Sequence, residues 1–221
     1  MELRQRIIYC IFFIISIFGV MFYYSDIIYD LFSIPIKNQL PENSKIISTQ
    51  ITSTFTAPLK LAMNLSIITS MPYIIFNAWL FISPGLYKQE KKIALPFIIS
   101  SIILFFLGLF FAFYIICPFA LNFFMTCAPS NVTIMISINN YINFMFNIMI
   151  ASGLAFQIPI IINFIIKTGI STKKELSEKR PYIIILAFIL GMILTPPDVI
   201  SQILLAIPIW FLFEIGLFLT R

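Results

Sequence analysis

Long apolar runs alternate along the chain with short clusters of charge, and the runs are too long for strands. Ile7–Tyr24, Leu61–Tyr87 and Ile93–Ile166 contain no Asp, Glu, Lys or Arg. A bilayer's hydrocarbon core is about 30 Å thick, which takes roughly 20 helical residues to cross. The first run makes one crossing and the second makes another. The third holds 74 residues, which as one helix would be ~110 Å long and must therefore break. Pro118, Asn122 and Cys127-Ala128-Pro129-Ser130-Asn131 are the turn-formers inside it. Spans are thus expected near 96–117 and 141–166, joined by a loop with an interfacial segment.

Two shorter segments follow. Pro181–Pro197 carries proline at both ends, which leaves Tyr182–Leu194 for helix, only ~20 Å of it. Ile200–Leu219 is interrupted by Pro208 and contains Glu214. The pattern predicts an all-α integral membrane protein, one six-helix transmembrane domain over 1–221. Its spans fall near 7–24, 61–82, 96–117, 141–166, 182–194 and 200–219, the last two short. So short a fifth span implies a thinned bilayer or cover from neighbouring helices.

Composition agrees with this picture. Hydrophobic residues make up 60% and charged residues 10% of the chain, with a mean hydropathy of +1.01. A soluble domain carries about 25% charged residues, so this chain lacks the polar surface to cover itself in water. The charges that remain set the orientation. Of the 14 basic residues, 11 fall in the N-terminus, in 88–92, in 167–180 and at Arg221, all on one side of the expected membrane. The positive-inside rule places both termini in the cytoplasm. The net charge of +5 then faces anionic headgroups, not nucleic acid. The opening Met1–Arg6 has the charge of a signal peptide, but no small-residue cleavage site follows, so a retained first span is expected.

Candidate chemistry is sparse. There is no histidine, and Cys10, Cys117 and Cys127 form no CxxC pair. Metal-ligand clusters, cofactor attachment and Ser/His or Cys/His catalysis have no residues to use. Cys117 and Cys127 read either as a disulfide near the outer face or as small core hydrophobes. No HExxH motif or pair of intramembrane acids supports an enzyme. A secondary transporter or channel is the alternative class, against which stand the missing inverted repeats and the scarcity of intramembrane ionisable groups.

Several stretches carry more than composition. They are Glu2-Leu3-Arg4 with Arg6; Phe55 with Pro58-Leu59-Lys60-Leu61; and Trp79–Tyr87 leading to Glu90-Lys91-Lys92. Leu104 through Gly108 to Phe111-Ala112-Phe113-Tyr114 follows, and then Thr195-Pro196-Pro197-Asp198-Val199-Ile200-Ser201-Gln202 continuing to Phe213-Glu214-Ile215-Gly216. In order and spacing these blocks resemble the TatC family, the multispanning receptor subunit of the twin-arginine translocase, from Glu2 to Arg221. The resemblance implies a receptor and scaffold in the bacterial cytoplasmic (inner) membrane, with an organellar membrane as the alternative. It would work in an oligomeric complex with the single-span subunits TatA and TatB and bind twin-arginine signal peptides of folded cargo, with no cofactor. Export would be driven by the proton-motive force, with the signal's apolar segment entering along the polar-lined inner side of the helix array.

The site residues follow from that resemblance, each beside a plainer reading. Glu90 is either an interfacial acid paired with its lysines or a carboxylate that takes bidentate hydrogen bonds from an incoming arginine. The resemblance implies the second, with Glu2, Arg4 and Phe81 at the same site. Met192, Thr195 and Gln202 are either docking residues for TatA and TatB or contacts between the last two helices. Gln157 stands where many family members carry Glu, which leaves an interhelical hydrogen bond in place of a titrating group. Asn140, Asn143 and Asn147 share a helix face. Glu214 should face protein or snorkel. Pro35 matches a proline of a structured outer cap, Pro196 and Pro197 form the outer turn, and Asp198 is placed to cap the sixth helix.

Overall fold

The structure is a computed structural model, described here for residues 3–37, 45–47, 52–82, 91–127, 135–194 and 199–219. Ten α-helices are present among these residues. Five of the resulting segments are long and apolar enough to cross a membrane: Leu3–Tyr23, Phe55–Phe81, Pro96–Thr126, Ile138–Lys167 and Gln202–Leu219. A shorter apolar helix covers Arg180–Met192. Lipid explains the surface. Ile8, Phe12, Ile15 and Val20 of the first helix are exposed and none of its residues is buried, an arrangement that water would penalise.

By contact the chain divides into two units, Met1–Tyr87 with Leu121–Phe146, and Lys88–Ala120 with Asn147–Arg221. In the first, α1 (Leu3–Tyr23) packs against α3 (Ser53–Ile82), and the short amphipathic α2 (Ser25–Lys37) also packs on α3. Two prolines lie inside α3, Pro58 and Pro72. In the two turns before Pro72 the buried hydroxyls of Ser66 and Ser70 return to the carbonyls of Met63 and Ser66, at 2.7 and 2.6 Å. Such local bonds keep polar groups satisfied where lipid offers no partner. Pro35 is buried inside α2, where it removes the helical bond to the Leu31 carbonyl. One turn earlier Phe32 stacks on Phe146 at 5.5 Å, and its carbonyl accepts the Tyr141 hydroxyl at 2.9 Å.

A feature absent from the all-α expectation is a two-stranded parallel sheet of β1 (Lys45–Ile47) and β2 (Met135–Ser137). Lys45 pairs with Met135 and Ile47 with Ser137. Such a ladder is invisible to local pattern, because its strands lie some ninety positions apart in the chain and are three residues long.

The second unit contains α4 (Lys91–Phe111), α7 (Ile158–Lys167), α8 (Lys173–Glu178), α9 (Arg180–Leu194) and α10 (Val199–Leu219). Helix α6 (Ile138–Ala155) precedes α7. The break expected at Pro118 is not there. The helix continues from α4 through one π turn, Ala112–Ile116, into α5 (Cys117–Thr126). The Cys117 N–H bonds back to the Ala112 carbonyl, one residue further than in an α-helix. That widened turn makes room for the Pro118 ring, which would clash with a carbonyl in a regular helix. The helix ends instead at Thr126, beside the expected Cys127–Asn131 cluster, and a further break comes inside the expected 141–166 span. Phe156 and Gln157 form a turn before Pro159, the second residue of α7.

The sixth helix also corrects expectation. It is not short: α10 runs 21 residues unbroken through Pro208, ~31 Å at the usual rise. Leu205, Ala206, Ile209 and Leu212 around Pro208 pack into a core with Ala151, Ala155 and Ala187. That burial holds the helix where the missing N–H would weaken it. The fifth helix is short, 15 residues. Where α7 ends, Gly169 at φ +70° supplies the left-handed turn, and the Ile170 N–H reaches the Ile165 carbonyl at 3.1 Å. This is the six-to-one bond of a Schellman end.

Candidate functional site

In the first unit the helices α1 and α3 enclose a groove of about 330 Å³. Its α1 wall is the stripe Leu3, Ile7 and Cys10 with Arg6, spaced at three and four residues, and Phe81 and Asn77 stand on the α3 wall. Phe81 is 47% exposed in the last turn of α3. Asn77 donates to the Tyr73 carbonyl at 2.9 Å, and the Tyr73 ring rests 4.5 Å from Phe13 of α1. The groove is thus a nearly apolar slot with one cation at its mouth. The Arg6 Nε is buried with no hydrogen-bond partner among the described residues.

Phe81 therefore lines the same groove as the beginning of α1. Arg4 is exposed and does not line the groove. Arg6, not singled out for this role from the sequence, does. Arg6 shares a stripe with Leu3 and Cys10, but Arg4 likewise stands three residues before Ile7, so spacing alone does not choose between them. Glu2 and Glu90 lie outside the described residues, as do Thr195, Pro196, Pro197 and Asp198.

The second set of residues lies on α9 and α10, which pack closely. Gln202 donates through Nε2 to the Phe188 carbonyl at 2.8 Å. A Cβ at Gly191 would come within 3.1 Å of the Gln202 side chain, so glycine is what permits this approach. Met192 is 59% exposed beside it. At the other end of the pair, Arg180 of α9 grips Glu214 of α10. Nε to Oε1 is 2.7 Å and Nη2 to Oε2 is 3.0 Å, the two parallel bonds of a fork-to-fork ion pair. This partner for Glu214 was missed. Because α9 and α10 pack antiparallel, the first residue of one lies beside the end of the other.

Gln157 sits in the turn between α6 and α7, where its Nε2 donates to the Ser101 carbonyl of α4 at 2.9 Å. Nearby the Ser152 hydroxyl donates to the Gly108 carbonyl at 2.8 Å. Asn140, Asn143 and Asn147 are all exposed. The cysteines are free thiols, with Cys117 buried and Cys127 exposed, so neither the disulfide nor a core role holds for Cys127. Among the described residues no group of His, Cys, Asp and Glu could hold a metal ion.

Comparison with known proteins is decisive about ancestry. The family profile described as "TatC: Sec-independent protein translocase protein (TatC)" matches residues 1–208. The chain is 44% identical over 220 residues to the Sec-independent protein translocase protein TatC of Haemophilus influenzae, covering all of this chain and 86% of that one. It is 42% identical to the protein of that name from Escherichia coli K12, over 100% of this chain and 85% of the relative. Two crystal structures of the twin arginine translocase receptor TatC, one in DDM, superpose with TM-scores of 0.88 and 0.90 at 34% identity. They cover 98% and 99% of this chain, and it covers 95% and 97% of theirs. The chain belongs to the TatC family of Sec-independent protein translocase proteins.

Proposed function

We propose that the protein is the signal-peptide receptor of a twin-arginine translocase, working in a complex with TatA and TatB and catalysing no covalent step. The observation that carries this is the α1–α3 groove. It sets Phe81 opposite the first turn of α1, which Glu2 directly precedes, and its apolar walls suit the hydrophobic segment of a signal. In this reading Glu90 and Glu2 accept the paired guanidinium groups, whose planar forks match carboxylates. Phe81 and Leu3 then hold the apolar segment that follows.

The chain crosses the bacterial inner membrane six times in this reading, with both ends in the cytoplasm, as the basic residues demand. Arg180–Leu194 serves as the fifth span although it reaches only ~22 Å. Met192 and Gln202 on the α9–α10 pair, with Thr195 next after α9 in the sequence, receive TatA and TatB, and the proton-motive force drives transport.

Crosslinking of a twin-arginine signal peptide to wild-type, Glu90→Ala and Phe81→Ala protein tests the assignment. Yield should collapse for Glu90→Ala. It should fall about fivefold for Phe81→Ala, the loss expected for a half-exposed aromatic contact. Equal yield from all three proteins would remove the groove from signal recognition.

A further inference from the structure

The second unit holds another cavity, of about 290 Å³, bounded by α4, α7 and the last residue of α10, which signal recognition does not use. Its lining is ordered by polarity. On α7, Ile160, Asn163 and Lys167 follow one another at three- and four-residue steps and form one stripe. On α4, Phe97, Ser100 and Leu104 do the same. The stripes run antiparallel, since Phe97 meets Phe164 at 6.1 Å while Ser101 further along α4 meets Gln157, in the turn just before α7. The Lys167 ammonium lies 5.3 Å from the Phe97 ring centroid. One end of the cavity is therefore cationic. The amide of Asn163 and the hydroxyl of Ser100 come next, and Ile160 with Leu104 close the other end.

Charge singles out the occupant. Lys167 has no acidic partner among the described residues, whereas Arg180 in the same basic stretch is held by Glu214. A cation at the mouth of an otherwise apolar interhelical slot attracts an anionic headgroup. Asn163 spends one amide hydrogen on a long bond to the Pro159 carbonyl, 3.3 Å, and keeps a second donor. Cation, hydrogen-bond donors and apolar wall match, in that order, the phosphate, ester linkage and acyl chain of one amphiphile.

We propose that this cavity binds a single anionic glycerophospholipid from the adjacent leaflet. Lys167 meets its phosphate, Asn163 and Ser100 its ester oxygens, and Leu104 and Ile160 one acyl chain.

Native mass spectrometry of the detergent-purified chain, offered phosphatidylglycerol and phosphatidylcholine of matched acyl chains, tests the site. Wild type should retain phosphatidylglycerol in preference by about fivefold, the effect of one lysine at a headgroup. Lys167→Gln should bring the two lipids to parity, while Lys167→Arg and Lys174→Gln keep the preference. Ser100→Trp, or the smaller plug Ser100→Phe, should lose both lipids with the melting midpoint unchanged. Equal retention by wild type, or a preference that survives Lys167→Gln, would overturn the proposal. So would a lipid-free dimer that Ser100→Trp abolishes, for the occupant would then be a second copy.

Discussion

Arg180 and Glu214, at the first residue of α9 and in the penultimate turn of α10, are joined by two parallel hydrogen bonds of 2.7 and 3.0 Å. Their side chains are 49% and 30% exposed, so solvent screening limits the strength of the pair. A double-mutant cycle of Arg180→Gln and Glu214→Gln, read by thermal melting in detergent, should give a coupling of about 1 kcal/mol. Coupling indistinguishable from zero would mean that the pair decorates the α9–α10 contact without holding it.

Gly108 should not tolerate a side chain. A Cβ there would stand 2.7 Å from the Ser152 carbonyl oxygen, a backbone atom that cannot swing aside. Gly108→Ala is expected to cost about 1–3 kcal/mol. Gly19, with nothing within 4 Å of its added Cβ, is the control. Its alanine variant should be neutral, or stabilised by up to about 1 kcal/mol. Melting midpoints of the two variants in one detergent decide the matter.

Cys127 offers a direct check on sidedness. It is exposed at the end of α5, whereas Cys117 is buried. If the amino terminus is cytoplasmic, Cys127 follows the third crossing and lies outside. A membrane-impermeant maleimide should then label Cys127 in intact spheroplasts and leave Cys117 unmodified. Labelling that needs permeabilised membranes would reverse the proposed orientation.

The start of α8 should respond to acid. Thr172 and Glu175 form a reciprocal capping box, with the Glu175 N–H donating to the Thr172 hydroxyl and the Thr172 N–H to the Glu175 carboxylate. The Ser171 hydroxyl also donates to that carboxylate, and these bonds, Ser171's foremost, hold the Glu175 carboxyl below its ordinary value. A depressed carboxyl contributes stability above the ordinary carboxylate range and loses it as pH falls through the depressed value. The protection of amides 172–178, taken relative to their intrinsic exchange rate at each pH, should therefore fall below about pH 4. Glu175→Gln should exchange faster at neutral pH and lose that acid dependence.

Where the long apolar helices lie was legible in the sequence, because lipid imposes its rule on each segment separately. A charge-free run of sufficient length must be helix, whatever its neighbours do. The runs Ile7–Tyr24 and Leu61–Tyr87 overlap the helices Leu3–Tyr23 and Ser53–Ile82 over most of their length. Proline was the weak signal. Pro118 and Pro208 sit inside continuous helices, one relieved by a π turn and the other held by a buried core, while Pro159 opens a new helix after a turn. Identical local chemistry had three outcomes because the packing around each ring differs.

The sequence by itself determined the membrane class, the long apolar helices and, through family resemblance, the ancestry. Each of these rests on properties summed along the chain. Only the tertiary structure decided that Arg6 and not Arg4 faces Phe81, that Glu214 answers to Arg180, and that Lys167 stands over Phe97 beside a cavity. Those pairings depend on the rotation and register of one helix against another. Small residues such as Gly191 and Gly108 set that register by allowing close approach, and no count along a single helix contains it.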